Sequence, residues 1–121
     1  MLRLSEAIRL GAMLKPQVFG ILRDGIGTCA LGAALEACGI VANHLNNLEY
    51  VINRWPWTDA KFHNCPGCGY WGYPSAVITH LNDAHHWTRE QIADWVETIE
   101  PREVEEVELV DKLVPVTCRT V

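Results

Sequence analysis

The apolar residues of this chain recur mostly three and four positions apart, which is the period of an amphipathic helix. The clearest case is the segment 88–99. Its predicted buried face consists of Ile92, Trp95, Val96 and Ile99. Thr88 and Gln91 form the sequence signature of a capping box, and Pro101 ends the segment. We therefore predict a helix here, with a solvated outer face made of Glu90, Asp94 and Glu97.

Similar patterns predict four further helices. They cover residues 4–15, residues 28–38, residues 44–55 and a segment that begins at Pro74. Ser5 and Asn43 are the expected N-caps of the first and third helices, and proline suits the first turn of the fourth. The buried stripe predicted for the third helix consists of Leu45, Leu48, Ile52 and Trp55. The fold class is therefore mostly α, a compact bundle of about five short helices.

Residues 102–121 differ in composition from the rest of the chain. Acidic residues interrupt the valines and leucines there, so neither a helix nor a strand period is clean. We predict an irregular acidic and apolar arm that packs on the core or on a neighbouring subunit. Residues 1–101 are then expected to form a single helical domain.

Residues 63–87 hold four of the five histidines and two of the five cysteines. Cys65 and Cys68 form a Cys-x-x-Cys turn, in which two thiolates can reach one ion and the glycines on either side of the second cysteine let backbone amides turn toward the sulfurs. His80 follows after eleven residues and His85 after four more, close to the Cys-x2-Cys…His-x3–5-His pattern of zinc sites. We predict a zinc-knuckle or finger-like site in which Cys65, Cys68, His80 and His85 hold a structural Zn²⁺ in a closed tetrahedron.

Two other histidines compete for the fourth ligand position. His86 is the main alternative to His85, and His63 is the second. On a regular helix His80 and His85 would lie about 140° apart, so the helix must tighten or end between them. The Asn-Asp pair in that interval disfavours a continuous helix and makes an ending there the expected outcome.

Other uses of the motif fit less well. A c-type haem site needs a histidine directly after the second cysteine, where this chain has Gly69. A thioredoxin-like redox pair requires a βαβ context and gives the histidines no role. Free thiols beside surface histidines are the simplest interpretation without a metal.

The charge pattern disfavours nucleic acid as a partner. The formal net charge is −5, and residues 62–88 contain no Lys or Arg. Residues 90–111 carry nine acids against one base. A DNA-reading finger places basic or amide side chains on the first turns of its helix. This chain has Ser75, Ala76, Val77 and Ile78 at those positions. Non-specific phosphate binding also needs clustered positive charge.

Length and composition indicate one folded globular domain, with 121 residues, 49% of them hydrophobic and 21% charged. No apolar run approaches the length of a membrane span. Arg3, Glu6 and Arg9 interrupt the region where a signal peptide would be apolar. An odd number of cysteines, two of them explained by metal, fits a reducing compartment. We therefore expect a cytoplasmic protein that does not enter the membrane.

One longer pattern joins the metal motif to the helix after it. It runs through residues 65–96 as Cys-Pro-x-Cys-Gly followed by Val-Ile-x-His-Leu-Asn-Asp-x-His-x-Trp-Thr-Arg-Glu-Gln-Ile-Ala-Asp-Trp-Val. This pattern resembles a group of small bacterial and phage proteins without an assigned activity, and residues 5–34 are similar to the same group. The resemblance implies a bacterial or phage origin and a cytoplasmic setting. It carries no activity and no site residue over to this chain.

These features together predict a non-enzymatic module, stabilised by zinc, that binds a protein partner or forms a homo-oligomer. The acidic surface, the C-terminal arm and the aromatic residues Tyr70, Trp71 and Tyr73 motivate this hypothesis, since such residues either shield a metal or form an exposed platform. The alternative is a zinc-finger-like DNA-binding transcriptional regulator. A metal enzyme using Asp83 or His86 as a general base is a third hypothesis, but it would need an open zinc position.

Overall fold

The computed structural model describes residues 2–20, 28–40 and 47–101. These residues form five α-helices and one small sheet. The helices are α1 (Leu4–Ala12), α2 (Ala30–Ala37), α3 (Asn47–Arg54), α4 (Pro74–Asp83) and α5 (Arg89–Ile99). The antiparallel strands are β1 (His63–Asn64) and β2 (Trp71–Gly72), and a 3₁₀ turn at Pro56–Asp59 follows α3. The predicted mostly-α fold with five short helices is confirmed, and the sheet is an addition to it.

Helix α2 lies at the centre of the fold. Its residues 30–35 are all buried, and α1, α3, α4 and α5 pack around it. The largest fully buried apolar side chains are Leu4, Ile8, Leu31, Leu35, Val51, Val77, Ile78, Leu81, Ile92 and Val96. Each side chain of this size contributes about 1.5–3 kcal/mol when it is removed from water. Cys65 belongs to the same core, so the metal motif is continuous with the helical bundle.

Helix α1 is shorter than predicted and is capped differently. It ends at Ala12, where residues 4–15 were expected to be helical, and its N-cap is Arg3 instead of Ser5. Ser5 is buried inside the first turn, and its hydroxyl donates a hydrogen bond to the Glu100 carboxylate. The N-cap prediction is wrong because a residue 95 positions away satisfies this hydroxyl.

The Glu100 carboxylate holds the start of α1 against the end of α5. Its side chain is only 2% exposed, and it accepts a hydrogen bond from the Ser5 amide at 3.2 Å and pairs with Arg3 at 3.0 Å. We expect Glu100→Gln to lower the free energy of unfolding by about 2 kcal/mol, because buried hydrogen bonds to a charged group are lost. Chemical denaturation measures this loss. Glu49→Gln, at an exposed acid on α3, is the control, and equal losses in both variants would contradict the assignment.

The acidic outer face of α5, predicted to be solvated, also contacts α1. Arg9 of α1 donates to Glu90 at 2.8 Å, to Asp94 at 2.6 Å and to Glu97 at 2.8 Å. These carboxylates raise the pKa of the Arg9 guanidinium above its ordinary value. Because the acids are largely exposed, each pair contributes at most about 1 kcal/mol. The three acids therefore form part of the contact between α1 and α5.

The buried face of α3 differs from the predicted stripe. Val51 and Trp55 are buried, whereas Leu48 is 48% exposed and Ile52 is half-buried. The Trp55 indole donates to the Leu2 carbonyl at 3.1 Å, which fixes this side of the helix toward the core. Since residues i and i+4 share a helix face, Val51 is drawn inward with it.

Some predicted features lie outside the described residues. They are the N-cap Asn43, Leu45 of the α3 stripe and the arm at residues 102–121. At the start of α5 the predicted capping box is confirmed, since Thr88 and Gln91 exchange hydrogen bonds of 2.9 and 3.0 Å. Within residues 2–20, 28–40 and 47–101, every helix is too short or too polar to cross a lipid bilayer.

Candidate metal centre

The two cysteines lie in the turn of a β-hairpin. Strands β1 and β2 pair with His63 opposite Gly72 and Asn64 opposite Trp71. Inside this pair, the Cys65 amide donates to the Tyr70 carbonyl at 2.6 Å. The hairpin therefore holds Cys65 and its neighbours in a fixed loop beside α4.

Two glycines shape this turn. The Gly67 amide donates to the Cys65 sulfur at 3.3 Å, which confirms the predicted role of Gly67 in directing a backbone N–H at a thiolate. Gly69 has a φ of +84°, a left-handed conformation that glycine adopts without steric cost. Its amide donates to the Cys65 carbonyl at 2.9 Å, so the sulfur contact expected for Gly69 is replaced by a turn-closing bond.

The histidines lie on α4 and just beyond its end. Pro74 occupies the first turn of this helix, as predicted, and the helix ends at Asp83. Toward this end, successive backbone hydrogen bonds span four, five and then six residues. The Ala84 and His85 amides donate to the His80 carbonyl at 2.8 and 3.4 Å, and the Trp87 amide donates to the Leu81 carbonyl at 3.1 Å. His86 follows in a left-handed conformation with φ +53°. The predicted ending between His80 and His85 is confirmed, and the last turn widens before it, which brings His85 back toward His80.

Buried polar residues hold this helix end in place. The Asn82 side chain is fully buried, accepts a hydrogen bond from Gln17 at 2.7 Å and donates to the Val18 carbonyl at 2.9 Å. Gln17 also donates to the Trp87 carbonyl at 2.8 Å. Asp83 accepts hydrogen bonds of 2.8 Å from Asn82 and from the Gly20 amide. Asn82 and Asp83, the pair expected to end the helix, therefore fix the segment 16–20 against the end of α4.

The four predicted ligands come together in the structure. One potential ligand atom from each of Cys65, Cys68, His80 and His85 lies within 4.8 Å of all the others. The Cys68 sulfur and the His80 Nε2 atom are 3.3 Å apart, and the two imidazole rings are perpendicular with centroids 4.8 Å apart. Ligand atoms in a tetrahedral zinc site are separated by about 3.3–3.8 Å, given the usual bond lengths. The group could therefore hold a metal ion after the widest pair closes by about 1 Å.

The His85 ring gives independent support for a ligand at this centre. Its Nε2 atom is buried and finds no hydrogen-bond partner among the residues that the structure describes. A buried polar atom without a partner costs about 1–3 kcal/mol, and coordination to a metal would satisfy it. A Cβ atom at Gly67 would lie 3.2 Å from His85 Nε2. Gly67 thus leaves room for the imidazole directly above the cysteine turn.

The alternative histidines are outside this group. Within the described residues, the potential metal ligands comprise neither His86 nor His63. The His86 ring packs on Phe19, with centroids 4.3 Å apart, and this contact directs it to another part of the surface. His63 is half-buried in β1. The sequence spacing therefore selects the same four residues that the structure brings together.

One aromatic ring stacks on a ligand of the centre, and three others pack together beside the hairpin, one of which was missed from the sequence. Tyr70 stacks on His80 with centroids 4.5 Å apart, which limits the rotation of this imidazole. Phe62 is nearly perpendicular to Trp71 at 5.0 Å and to Tyr73 at 4.4 Å. Phe62 has no predicted role, because its proximity to these rings depends on the hairpin. Antiparallel pairing across the cysteine turn is the signal that could have found it.

The donor set defines what the centre can do. Two thiolates and two imidazoles suit zinc. Magnesium and calcium prefer oxygen ligands, and this group contains none. A metal ion held by all four side chains would have no open coordination position. Cys29 is a free, buried cysteine outside the group, and burial raises the pKa of its thiol.

Searches with this chain find no matching family model, no matching curated protein and no matching solved structure.

Proposed function

We propose that this protein is a zinc-stabilised, non-enzymatic protein-interaction or assembly module of bacterial or phage origin. The observation that carries the proposal is the convergence of Cys65, Cys68, His80 and His85 from a hairpin and a helix. A Zn²⁺ ion at this centre joins the hairpin to α4, and the free energy of metal binding becomes part of the free energy of folding. The proposed origin is supported by the sequence pattern of residues 65–96.

The interaction role is supported by the side chains that the hairpin exposes. Trp71 is 64% exposed, and Phe62, Tyr70 and Tyr73 are also exposed. Phe62 contacts both Trp71 and Tyr73, so these three rings form one exposed apolar patch, and patches of this kind mark binding sites when they are large. The two cysteine ligands lie between Phe62 and Trp71 in the chain, so a metal that fixes the cysteine turn also fixes the strands that hold these rings.

A DNA-reading role is disfavoured by the burial of the helix that would read the bases. Ser75, Val77 and Ile78 at the start of α4 are buried, and Ala76 is half-buried. Base readout needs exposed polar side chains on those turns. The absence of Lys and Arg from residues 62–88 also removes the phosphate contacts on which affinity depends.

A metal enzyme is disfavoured by the number of ligands and by the occupation of the general-base candidates. Catalytic zinc keeps three protein ligands and one water, whereas this centre offers four side chains. Asp83 accepts two structural hydrogen bonds and His86 packs on Phe19, so both side chains are engaged elsewhere.

Elemental analysis and a capture experiment together test the proposal. We expect one zinc per purified chain and a lower thermal unfolding midpoint after chelation, because folding and metal binding are linked. Tagged protein mixed with a bacterial lysate should retain a partner that Trp71→Glu loses and that Met13→Glu keeps. Met13 is 81% exposed just after the end of α1, so its variant adds the same charge away from the hairpin. A metal-free chain with an unchanged midpoint would overturn the zinc role. Equal capture by both variants would overturn the interaction role of the hairpin.

A further inference from the structure

We propose that Cys65 and Cys68 form a redox switch, in which a hydroperoxide oxidises the two sulfurs to a disulfide and thereby releases the metal. This inference rests on the proposed function, because it names the regulation of the same zinc centre. The hairpin contributes both cysteines, while α4 and the residues after it contribute both histidines. Release of the ion therefore removes the link between the hairpin and α4.

The two sulfurs of the centre differ in their access to solvent. Cys68 is exposed, whereas Cys65 is 3% exposed and its sulfur accepts a hydrogen bond from the Gly67 amide at 3.3 Å. Within the described residues, the Cys68 sulfur contacts the Nε2 atom of His80, a neighbouring ligand. Coordination to zinc keeps a cysteine in the thiolate form, which is its nucleophilic form. A dissolved peroxide therefore reaches a thiolate at Cys68, and Cys65 is the resolving thiolate beside it.

The turn brings the two cysteines within reach of a disulfide. Residues 66–68 form the turn, and the Gly69 amide closes it on the Cys65 carbonyl at 2.9 Å. A bond of this span closes one turn of helix, in which Cα atoms three residues apart are separated by about 5 Å. Disulfides need a Cα separation of about 4.4–6.8 Å. Since the two sulfurs are already within 4.8 Å of each other, the S–S bond can close inside the existing turn.

The oxidation balances with one hydrogen peroxide and two protons from solvent. The Cys68 thiolate attacks one peroxide oxygen, the O–O bond breaks and hydroxide leaves, so that Cys68 becomes a sulfenic acid. The Cys65 thiolate then attacks the Cys68 sulfur, the S–O bond breaks and a second hydroxide leaves. Both hydroxides take up protons to form water. The two sulfurs together lose two electrons, and the two peroxide oxygens gain them.

Oxidation leaves only the two histidines of the group to hold the ion. Metal binding needs deprotonated ligands, and a disulfide offers no thiolate, so the zinc affinity falls. The Nε2 atom of His85 is buried without a partner among the described residues, so loss of the ion leaves this polar atom unsatisfied. The hairpin that holds the rings of Phe62 and Trp71 then loses its attachment to α4. A peroxide would therefore switch off the interaction role proposed for this hairpin.

Cys29 is a free cysteine that provides a comparison within the same chain. It is 3% exposed at the N-cap of α2, and burial raises the pKa of its thiol. A neutral thiol reacts slowly with peroxide, because the thiolate is the nucleophile. Cys29→Ser removes this sulfur and keeps a side chain that is favoured at a helix N-cap. It is therefore the matched control for the two cysteines of the hairpin.

Zinc release under excess hydrogen peroxide tests the proposal on the full, zinc-loaded chain. A chromophoric zinc indicator should report loss of the bound zinc, and a thiol reductant with added zinc should restore it. Peptide mapping should find a disulfide between Cys65 and Cys68, and Cys29→Ser should behave as the wild type does. Cys68→His offers a nitrogen ligand in place of the exposed sulfur, so it should bind zinc and keep it in peroxide. Release and mapping of the wild type decide the question even if this variant binds no zinc.

Four results would contradict the switch. A wild-type protein that keeps its zinc in peroxide would remove it and leave the zinc centre intact. Zinc release with these cysteines unpaired, or joined to other cysteines, would show a different oxidation. Equal release from Cys68→His would mean that another group responds to peroxide. A purified chain that cannot be loaded with zinc at all would overturn both the switch and the proposed function, before any oxidant is added.

Discussion

Gly11→Ala is expected to lower the free energy of unfolding by about 3 kcal/mol, at the upper end of the range for overpacked cores. Helix α1 crosses α2 at this glycine, and a Cβ atom there would lie 1.7 Å from the Ala33 carbonyl oxygen and 2.3 Å from its carbon. Both contacts are with backbone, so no rotamer change relieves them. The two helices would have to separate, and the packing of α1 on α2 would loosen along its length.

The direction of the stability change distinguishes overpacking from helix propensity. In an isolated helix, glycine to alanine is stabilising by about 1 kcal/mol, because alanine has the better helix propensity. Chemical denaturation of Gly11→Ala and of Leu10→Ala separates the two explanations. Leu10 is 47% exposed and does not share the Gly11 face of α1, so its variant should change stability little. A Gly11→Ala protein as stable as the wild type would mean that α1 and α2 are farther apart than the structure has them.

The helices could be predicted because their sequences satisfy local rules. In α5 the capping box and the apolar face agree, and both are present in the structure. In α3 either Leu48 or Val51 could have faced the core. The choice of Val51 over Leu48 depends on Trp55, whose indole reaches the Leu2 carbonyl 53 positions away. Periodicity alone contains no information about that contact. The misplaced N-cap of α1 has the same cause, because Glu100 decides the environment of Ser5.

The four metal ligands could be predicted because ligand spacing is itself a geometric constraint. Cysteines two residues apart can share an ion only in a tight turn, and the turn glycines make such a turn accessible. The arrangement of His80 and His85 was less accessible to sequence reasoning. It depends on a widened helix end, which is held by the contacts of Asn82 with Gln17 and Val18. The hairpin strands are only two residues each, too short to leave a period in the sequence.

The adjacent residues His85 and His86 allow the metal centre to be tested by a matched pair of variants. We expect His85→Ala to weaken zinc binding by about 3 kcal/mol, roughly one quarter of the free energy of a structural zinc site. Its Nε2 atom is buried without a partner among the described residues, so no other contact competes with the metal for it. His86→Ala should keep one zinc per chain, because its ring packs on Phe19 outside the ligand group. Competition with a chromophoric chelator measures both affinities.

Thermal unfolding with and without chelator shows whether the effect of His85→Ala acts through the metal. In the presence of zinc, His85→Ala should unfold at a lower temperature than the wild type and than His86→Ala. In excess chelator the wild type and His85→Ala should unfold together, since linkage removes only the contribution of the bound ion. A difference that persists without metal would mean that His85 stabilises the hairpin by packing over Gly67, where its ring lies within 3.2 Å of an added Cβ position. Loss of zinc from His86→Ala but not from His85→Ala would assign the fourth ligand to the other histidine.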